Sequence, residues 1–282
     1  MGNRILILGA SGFIGNKLYK ELLPYFDVYG TYNSPNLEFE NNTIMFHFDM
    51  KNDNIGSILT TLKPNFIISS LKGDFNDQLS VHQIILDYVL ETLDCKIIYL
   101  SSERVFDAKG KFPSYEEDIL SSNSAVGKFK IKQEKAIAKL PSCKYAIVRL
   151  PMVLGINSPK IIQLKEASKH KAEFEVFPNL VISATTVNKI AQQIHYIINK
   201  NLEGIFHLSS NDLIHHSELF YEITNKLELK KVTFKKVYTS NKDRYLALLP
   251  KQNQLPKNYQ ITLKEIIDDC VLHEAVESLK DN

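Results

Sequence analysis

The sequence predicts an α/β chain: a doubly wound parallel sheet with a small C-terminal lobe. Three observations predict it. Short, almost wholly apolar runs recur at residues 4–8, 66–70, 96–101 and 146–150, as in strands buried on both faces. Stretches of helical periodicity alternate with them, at 13–23, 54–62, 78–93 and 125–138. A glycine-rich turn joins the first strand to the first helix. Such alternation gives parallel strands with helices on both faces, and right-handed crossovers wind them outward in both directions.

The elements follow in order. Pro24 stops the first helix, because proline has no N–H for the helix ladder. Residues 27–31 and 44–48 read as the second and third strands, the latter ending at Asp49. Lys63-Pro64-Asn65 makes a turn before the fourth strand. A polar loop over 103–124 separates the fifth strand from the helix at 125–138. After Gly155 the pattern loosens. Helices are expected near 161–170 and 187–199, on either side of a hairpin-like stretch at 173–182. Residues 204–208 read as a strand that returns to the sheet. Further helices are expected near 217–226 and 263–279. The expected division is a first domain over 1–155, with the strand near 204–210 returning to it. A mixed α/β lobe over 156–282 packs on the sheet's carboxyl edge.

Composition narrows the class. Of the 282 residues 44% are apolar, enough for a large core. No run of about 18 apolar residues occurs, so no transmembrane helix is expected, and the opening residues lack a signal-peptide pattern. A formal charge of +2 from 34 basic and 32 acidic residues leaves no basic footprint for nucleic acid. The lysines between 226 and 236 alternate with Leu227, Leu229, Val232 and Phe234, the pattern of a solvated face. Cys95, Cys143 and Cys270 are far apart and set among apolar residues. They read as buried free thiols in a reducing compartment. The expectation is a cytoplasmic protein that contacts neither membrane nor nucleic acid. No HExxH or CxxC spacing occurs, so no metal is expected. No GxSxG elbow occurs either, which argues against an α/β-hydrolase.

Gly9-Ala10-Ser11-Gly12-Phe13-Ile14-Gly15 lies between the first strand and the first helix. The first glycine permits a tight turn, the second leaves room for a pyrophosphate, and the third lets helix and strand pack closely. The helix start adds free N–H groups and the positive end of its dipole. The loop predicts an NAD(P)-binding Rossmann fold, with Gly9, Ser11, Gly12, Phe13, Ile14 and Gly15 on the cofactor. At the end of the second strand stands Gly30-Thr31-Tyr32-Asn33-Ser34. It has no carboxylate for a ribose and no arginine for a 2′-phosphate, so NAD and NADP both stay open. Tyr32, Asn33, Asp49, Met50 and Ser69 complete the expected cofactor contacts, Asp49 either accepting from the adenine amino group or capping the loop that it starts.

The glycine spacing resembles the extended short-chain dehydrogenase/reductase superfamily. Tyr99-Leu100-Ser101-Ser102-Glu103-Arg104-Val105-Phe106-Asp107 is similar to the "STDYVFDG" segment of dTDP-4-dehydrorhamnose reductases and their relatives. Tyr115-Glu116-Glu117-Asp118 resembles "PYxExD", the stretch from Val148 to Gly155 resembles "xRxxxVYG", and Gly204 to Ser209 resembles "GIYHLSG". The resemblance covers about residues 3–210. It implies a nucleotide-sugar substrate or ligand, carbonyl reduction or related epimerase or dehydratase chemistry, and pairing into a homodimer through the helices at 78–93 and 125–138. It also implies catalysis by a Tyr-xxx-Lys pair with a Ser or Thr. Ser102 matches the Ser/Thr, and Lys130 matches the lysine that binds the nicotinamide ribose.

Val126 stands where that tyrosine belongs, and Phe129 replaces the Ser or Thr before the lysine. His82 stands where many relatives have asparagine. Valine has no proton to move. Three readings follow. A nearby tyrosine, Tyr99 or Tyr115, takes the role, although Tyr99 reads as core. Another group substitutes, such as Ser102, Glu103 or a water. Or the protein is a catalytically silent binding or regulatory subunit of the same fold. His207 reads as a buried, hydrogen-bonded histidine in an apolar strand.

Overall fold

The computed structural model describes residues 3–34, 43–230 and 232–271. Six strands, β1 (Arg4–Leu8), β2 (Asp27–Tyr32), β3 (Met45–His47), β4 (Phe66–Ser69), β5 (Lys96–Ser102) and β6 (Tyr145–Leu150), share one sheet with a seventh, Gly204–His207. Every pairing in it is parallel. Across the sheet the order is Gly204–His207, β6, β5, β4, β1, β2, β3. The chain moves from β1 outward to β3, then crosses back to lay β4 on the other side of β1. The order reverses between β1 and β4, and a crevice opens there at the carboxyl ends of the strands.

The period of two along each strand sorts the apolar residues between the faces. Ile5, Ile7, Ile68, Ile98 and Leu100 join a core under α1 (Phe13–Leu22) and the helix Val187–Asn199. Leu6, Leu8, Ile67, Ile97 and Tyr99 join the opposite core, under α2 (Ile55–Leu62), α3 (Phe75–Glu91) and α4 (Ala125–Ile137). This is why the strands read as continuous apolar runs rather than as alternating ones.

A third core gathers Leu154, Ile161, Leu164, Phe174, Leu219, Phe220 and Ile266 in the C-terminal part. There the structure departs from the sequence reading. Glu173–Val176 pairs in parallel with Thr233–Lys236, while Leu180–Ile182 pairs with Ile214–His215 and Arg244–Leu246. The stretch over 173–182 is therefore not a hairpin. Phe174 and Val176 are buried and Glu173 and Glu175 exposed, so this strand finds a partner carrying the matching lysines, and Lys235 reaches Glu175. The last helix is described over Leu263–Asp269, and residues 272–279 of the expected helix lie outside the described residues. Cys95 and Cys270 are buried, but Cys143 is exposed. It sits on the short turn Ser142–Lys144 before β6, with nothing to bury it. Among the described residues no helix is long and apolar enough to cross a membrane.

Candidate functional site

The glycine loop is built by backbone contacts that a side chain would break. Gly9 has φ +76°, the left-handed region where glycine is favoured. A Cβ on Gly15 would lie 2.1 Å from the Gly9 carbonyl oxygen. The Gly9 N–H donates to Thr31 Oγ1 at 3.0 Å and the Ala10 N–H to the Thr31 carbonyl at 2.8 Å, which pins the loop to the end of β2. Gly12 caps α1 with no side chain of its own, so the first N–H groups of the helix open toward the crevice.

A cavity of about 590 Å³ fills that crevice. From the loop, Gly9, Ser11, Gly12, Phe13, Ile14 and Gly15 line it. Tyr32 and Asn33 line it from the end of β2, Met50 from the turn after β3, and Lys130 from α4. Three expected positions lie outside the lining. Asp49 spends its carboxylate on its own turn, accepting from the Lys51 N–H at 3.0 Å and from Asn52 Nδ2 at 2.7 Å. Those bonds hold its carboxyl below the usual range. Ser69 turns away and meets His82 Nε2 at 2.8 Å. Ser102 accepts the Arg104 N–H at 3.3 Å, capping a turn of 3₁₀ helix over Glu103–Phe106.

Strand alternation puts their neighbours in the cavity instead. Ser70 and Ser101 line it. Ser70 Oγ donates to the Leu8 carbonyl at 2.7 Å, and Ser101 Oγ donates to the Glu134 carboxylate. The available signal was the register: Leu8 pairs with Ser69, so the next residue projects past the ladder over Gly9. Phe75 and Phe129 also line the cavity. Their rings stack at 4.5 Å with planes 8° apart, a contact between two helices that spacing along the chain does not reveal.

At the inner end, Lys130 Nζ donates to the Leu100 carbonyl at 2.8 Å and stands 4.5 Å from the centre of the Tyr99 ring. Burial pushes this amine down to about 8, with Glu134 pulling the other way. Val126 stands one helical turn before Lys130, lines the cavity and is 40% exposed. It offers the cavity two methyl groups where the resemblance expects a hydroxyl. Neither tyrosine supplies one. The Tyr99 hydroxyl is buried outside the lining and has no hydrogen-bond partner among the described residues. Tyr115 lies under the Lys251 amine, 5.3 Å from ring centre to nitrogen, on a separate cavity of about 440 Å³.

Buried polar contacts hold α4 in place. Ser124 caps it by accepting the Gly127 N–H at 3.1 Å. Deeper, Glu134 meets Arg149 at 2.8 Å with both side chains almost fully buried. Arg149 also donates to the Glu116 carbonyl at 2.9 Å and lies 3.3 Å from His207 Nε2. His82 Nδ1 reaches the Gln78 carbonyl at 2.6 Å. Burial pushes His82 down to about 4 and His207 to about 3, so both stay neutral. Just beyond the cavity, the Glu103 carboxyl accepts the Met152 N–H. Its Oε2 atom is buried with no partner among the described residues, and burial pushes the group up to about 8. No cluster of three or more His, Cys, Asp or Glu side chains suited to a metal occurs among the described residues.

Residues 86–276 match the family described as the RmlD substrate binding domain. The β subunit of methionine adenosyltransferase 2 from Bos taurus is 24% identical over 80% of this chain and 72% of its own length. Among solved structures, dTDP-4-dehydrorhamnose reductase from Bacillus anthracis, crystallised with NADP, is 20% identical with a TM-score of 0.73, covering 95% of this chain and 98% of that one. The dTDP-glucose 4,6-dehydratase of the same organism, in complex with NAD, is 15% identical with a TM-score of 0.77, covering 99% and 97%. The likeness in fold thus extends over nearly the whole chain.

Proposed function

The chain belongs to the RmlD substrate binding domain family, and from that premise we propose that it binds a nicotinamide dinucleotide, NAD or NADP, and acts on a nucleotide-activated sugar. The observation that carries this reading is one cavity with the glycine loop at one end and the buried Lys130 amine at the other. The cavity suits the ligand. Its volume falls within the roughly 300–1,000 Å³ of small-molecule sites, and a Cβ at Gly15 would close the cradle. The relatives solved with NADP and NAD support the same reading.

In this reading the loop N–H groups and the start of α1 hold the diphosphate. Asn33 and Ser34 meet the adenosine ribose. Lys130 holds the hydroxyls of the nicotinamide ribose, with its amine already positioned on Leu100. The dinucleotide supplies a hydride. The sugar nucleotide lies between the sheet's carboxyl edge and the C-terminal lobe, and carbonyl reduction, or a related epimerase or dehydratase step, is the reaction class.

A second reading has two specific observations behind it. Val126 removes the usual proton donor, and one relative is named as a subunit of an enzyme of another class. A dinucleotide-binding, catalytically silent subunit is that reading. Calorimetric titration with NADH and NADPH tests what both share. An assay of NADPH oxidation against dTDP- and UDP-linked keto sugars separates them: turnover by the wild type supports the enzyme, and turnover only after Val126→Tyr supports the silent subunit.

A further inference from the structure

We propose that the cavity selects NADP over NAD, with the Lys72 amine, Asn33 and Ser34 receiving the 2′-phosphate; this rests on the dinucleotide reading above and names which of the two cofactors the site takes.

The charge of the lining favours a phosphate. Lys72 and Lys130 line the cavity, and among the described residues no carboxylate does. A site built for NAD usually carries an acidic side chain past the second strand, which accepts from the ribose hydroxyl and repels a phosphate at the same position. Asn33 and Ser34 stand there instead, and both can donate. The neighbouring carboxylates are turned onto their own backbone. Asp49 accepts from the Lys51 N–H and from Asn52, and Asp53 accepts the Asp49 N–H at 2.7 Å. Asp74 caps α3, accepting the Asn76 and Asp77 N–H groups at 2.7 and 3.2 Å.

The backbone brings these groups to one end. Tyr32 pairs with His47, and the Phe48 N–H donates to the Tyr32 carbonyl at 2.8 Å. Asn33 and Ser34 therefore run on past the ladder, beside the turn that carries Met50. The loop after β4 reaches the same turn. A Cβ on Gly73 would lie 2.9 Å from Met50 Cε, so the backbone there rests against the Met50 methyl. Gly73 has φ +125°, a conformation that suits glycine. Lys72 thus joins the wall that Phe48, Met50 and Leu71 share. Lys130 stands at the other end, on the Leu100 carbonyl of β5, and β4 and β1 lie between β5 and β2. With Lys130 on the nicotinamide ribose, the Lys72 end is left for the adenosine ribose.

The two amines also differ in engagement. Lys130 is buried and bonded, whereas Lys72 is exposed and makes no hydrogen bond or ion pair among the described residues. A phosphate monoester carries nearly two negative charges at pH 7. A compact ammonium meets it as a point charge, while the 2′-hydroxyl of NAD offers no charge to meet. Because Lys72 is exposed, salt should screen the attraction.

Calorimetric titration with NADPH and NADH, on wild type, Lys72→Met and Asn33→Asp, tests this. Both substitutions fall at exposed positions. The wild type should bind NADPH about 10-fold or more tighter than NADH, the equivalent of one charge-assisted hydrogen bond, and the ratio should narrow at about 0.5 M salt. Lys72→Met should lose about 10-fold in NADPH affinity and leave NADH affinity within about twofold. Asn33→Asp places a carboxylate at the 2′ position and should turn the preference toward NADH. The proposal is overturned if the wild type binds the two cofactors equally, if Lys72→Met weakens both alike, which would put the amine on the diphosphate they share, or if Asn33→Asp leaves the preference unchanged. Absence of binding of either cofactor to the wild type overturns the dinucleotide reading itself.

Discussion

The glycine loop and the start of α4 face each other across one cavity, and they are specified in opposite ways. The loop is specified by what is missing: Gly9 and Gly15 carry no Cβ, and the backbone closes through the spaces left. The α4 end is specified by what is present, namely the Lys130 amine on the Leu100 carbonyl, the Phe75–Phe129 stack and the Glu134–Arg149 pair. A backbone cradle tolerates almost any side chain pointing outward, whereas a side-chain site changes its chemistry with one substitution. Set against the resemblance, Val126 is such a position: the cavity has the Lys130 amine, and two methyl groups where a hydroxyl is expected.

The comparison can be broken at several points, and the α4 end gives the largest effect. Glu134→Leu leaves Arg149 buried and unpaired, and stability to denaturant should fall by about 3–5 kcal/mol. The Gly15→Ala Cβ would meet the Gly9 carbonyl oxygen at 2.1 Å. Overpacking of this kind costs about 1–3 kcal/mol, and dinucleotide binding should be lost along with the loop geometry, as calorimetry would register. Lys130→Met removes a charged donor and should weaken dinucleotide binding about 10- to 100-fold, the equivalent of one charge-assisted hydrogen bond of about 1.5–3 kcal/mol, with the fold retained. The smallest effect belongs to Val126→Tyr. At a partly exposed position it should shift stability by no more than about 0.5 kcal/mol, which makes it a clean probe of turnover.

Acid should loosen the α4 end. His82 and His207 are held neutral in the fold, down to about 4 and about 3, while the unfolded chain protonates near 6.5. The unfolded state then binds more protons, so stability falls as pH drops from about 6.5 toward 4. A denaturation series across that range should show the fall, and His82→Gln should flatten part of it.

Much of this was legible in the sequence. Apolar runs alternating with helical periods predict the sheet, because a strand buried on both faces has no reason to alternate. The loop was legible because glycine is diagnostic where backbones touch. That Lys130 and Val126 stand together at the cavity was legible by resemblance. Positions at strand ends were less so. Ser69 and Ser70, or Ser101 and Ser102, are chemically alike, and which one enters the cavity depends on strand register. Asp49 read either as an adenine acceptor or as the cap of its own loop, and its hydrogen bonds hold it on that turn. The pairing of Glu173–Val176 with Thr233–Lys236 joins residues some sixty positions apart, beyond the reach of local pattern. The isolation of Glu103 Oε2 is likewise a property of packing.

The most direct test of the central claim is calorimetric titration of the wild type with NADH and NADPH, with Lys130→Met in parallel. Saturable one-to-one binding of at least one dinucleotide, weakened in the variant, is the predicted result. No binding of either at about 1 mM, which corresponds to less than about 4 kcal/mol of binding free energy, would contradict it.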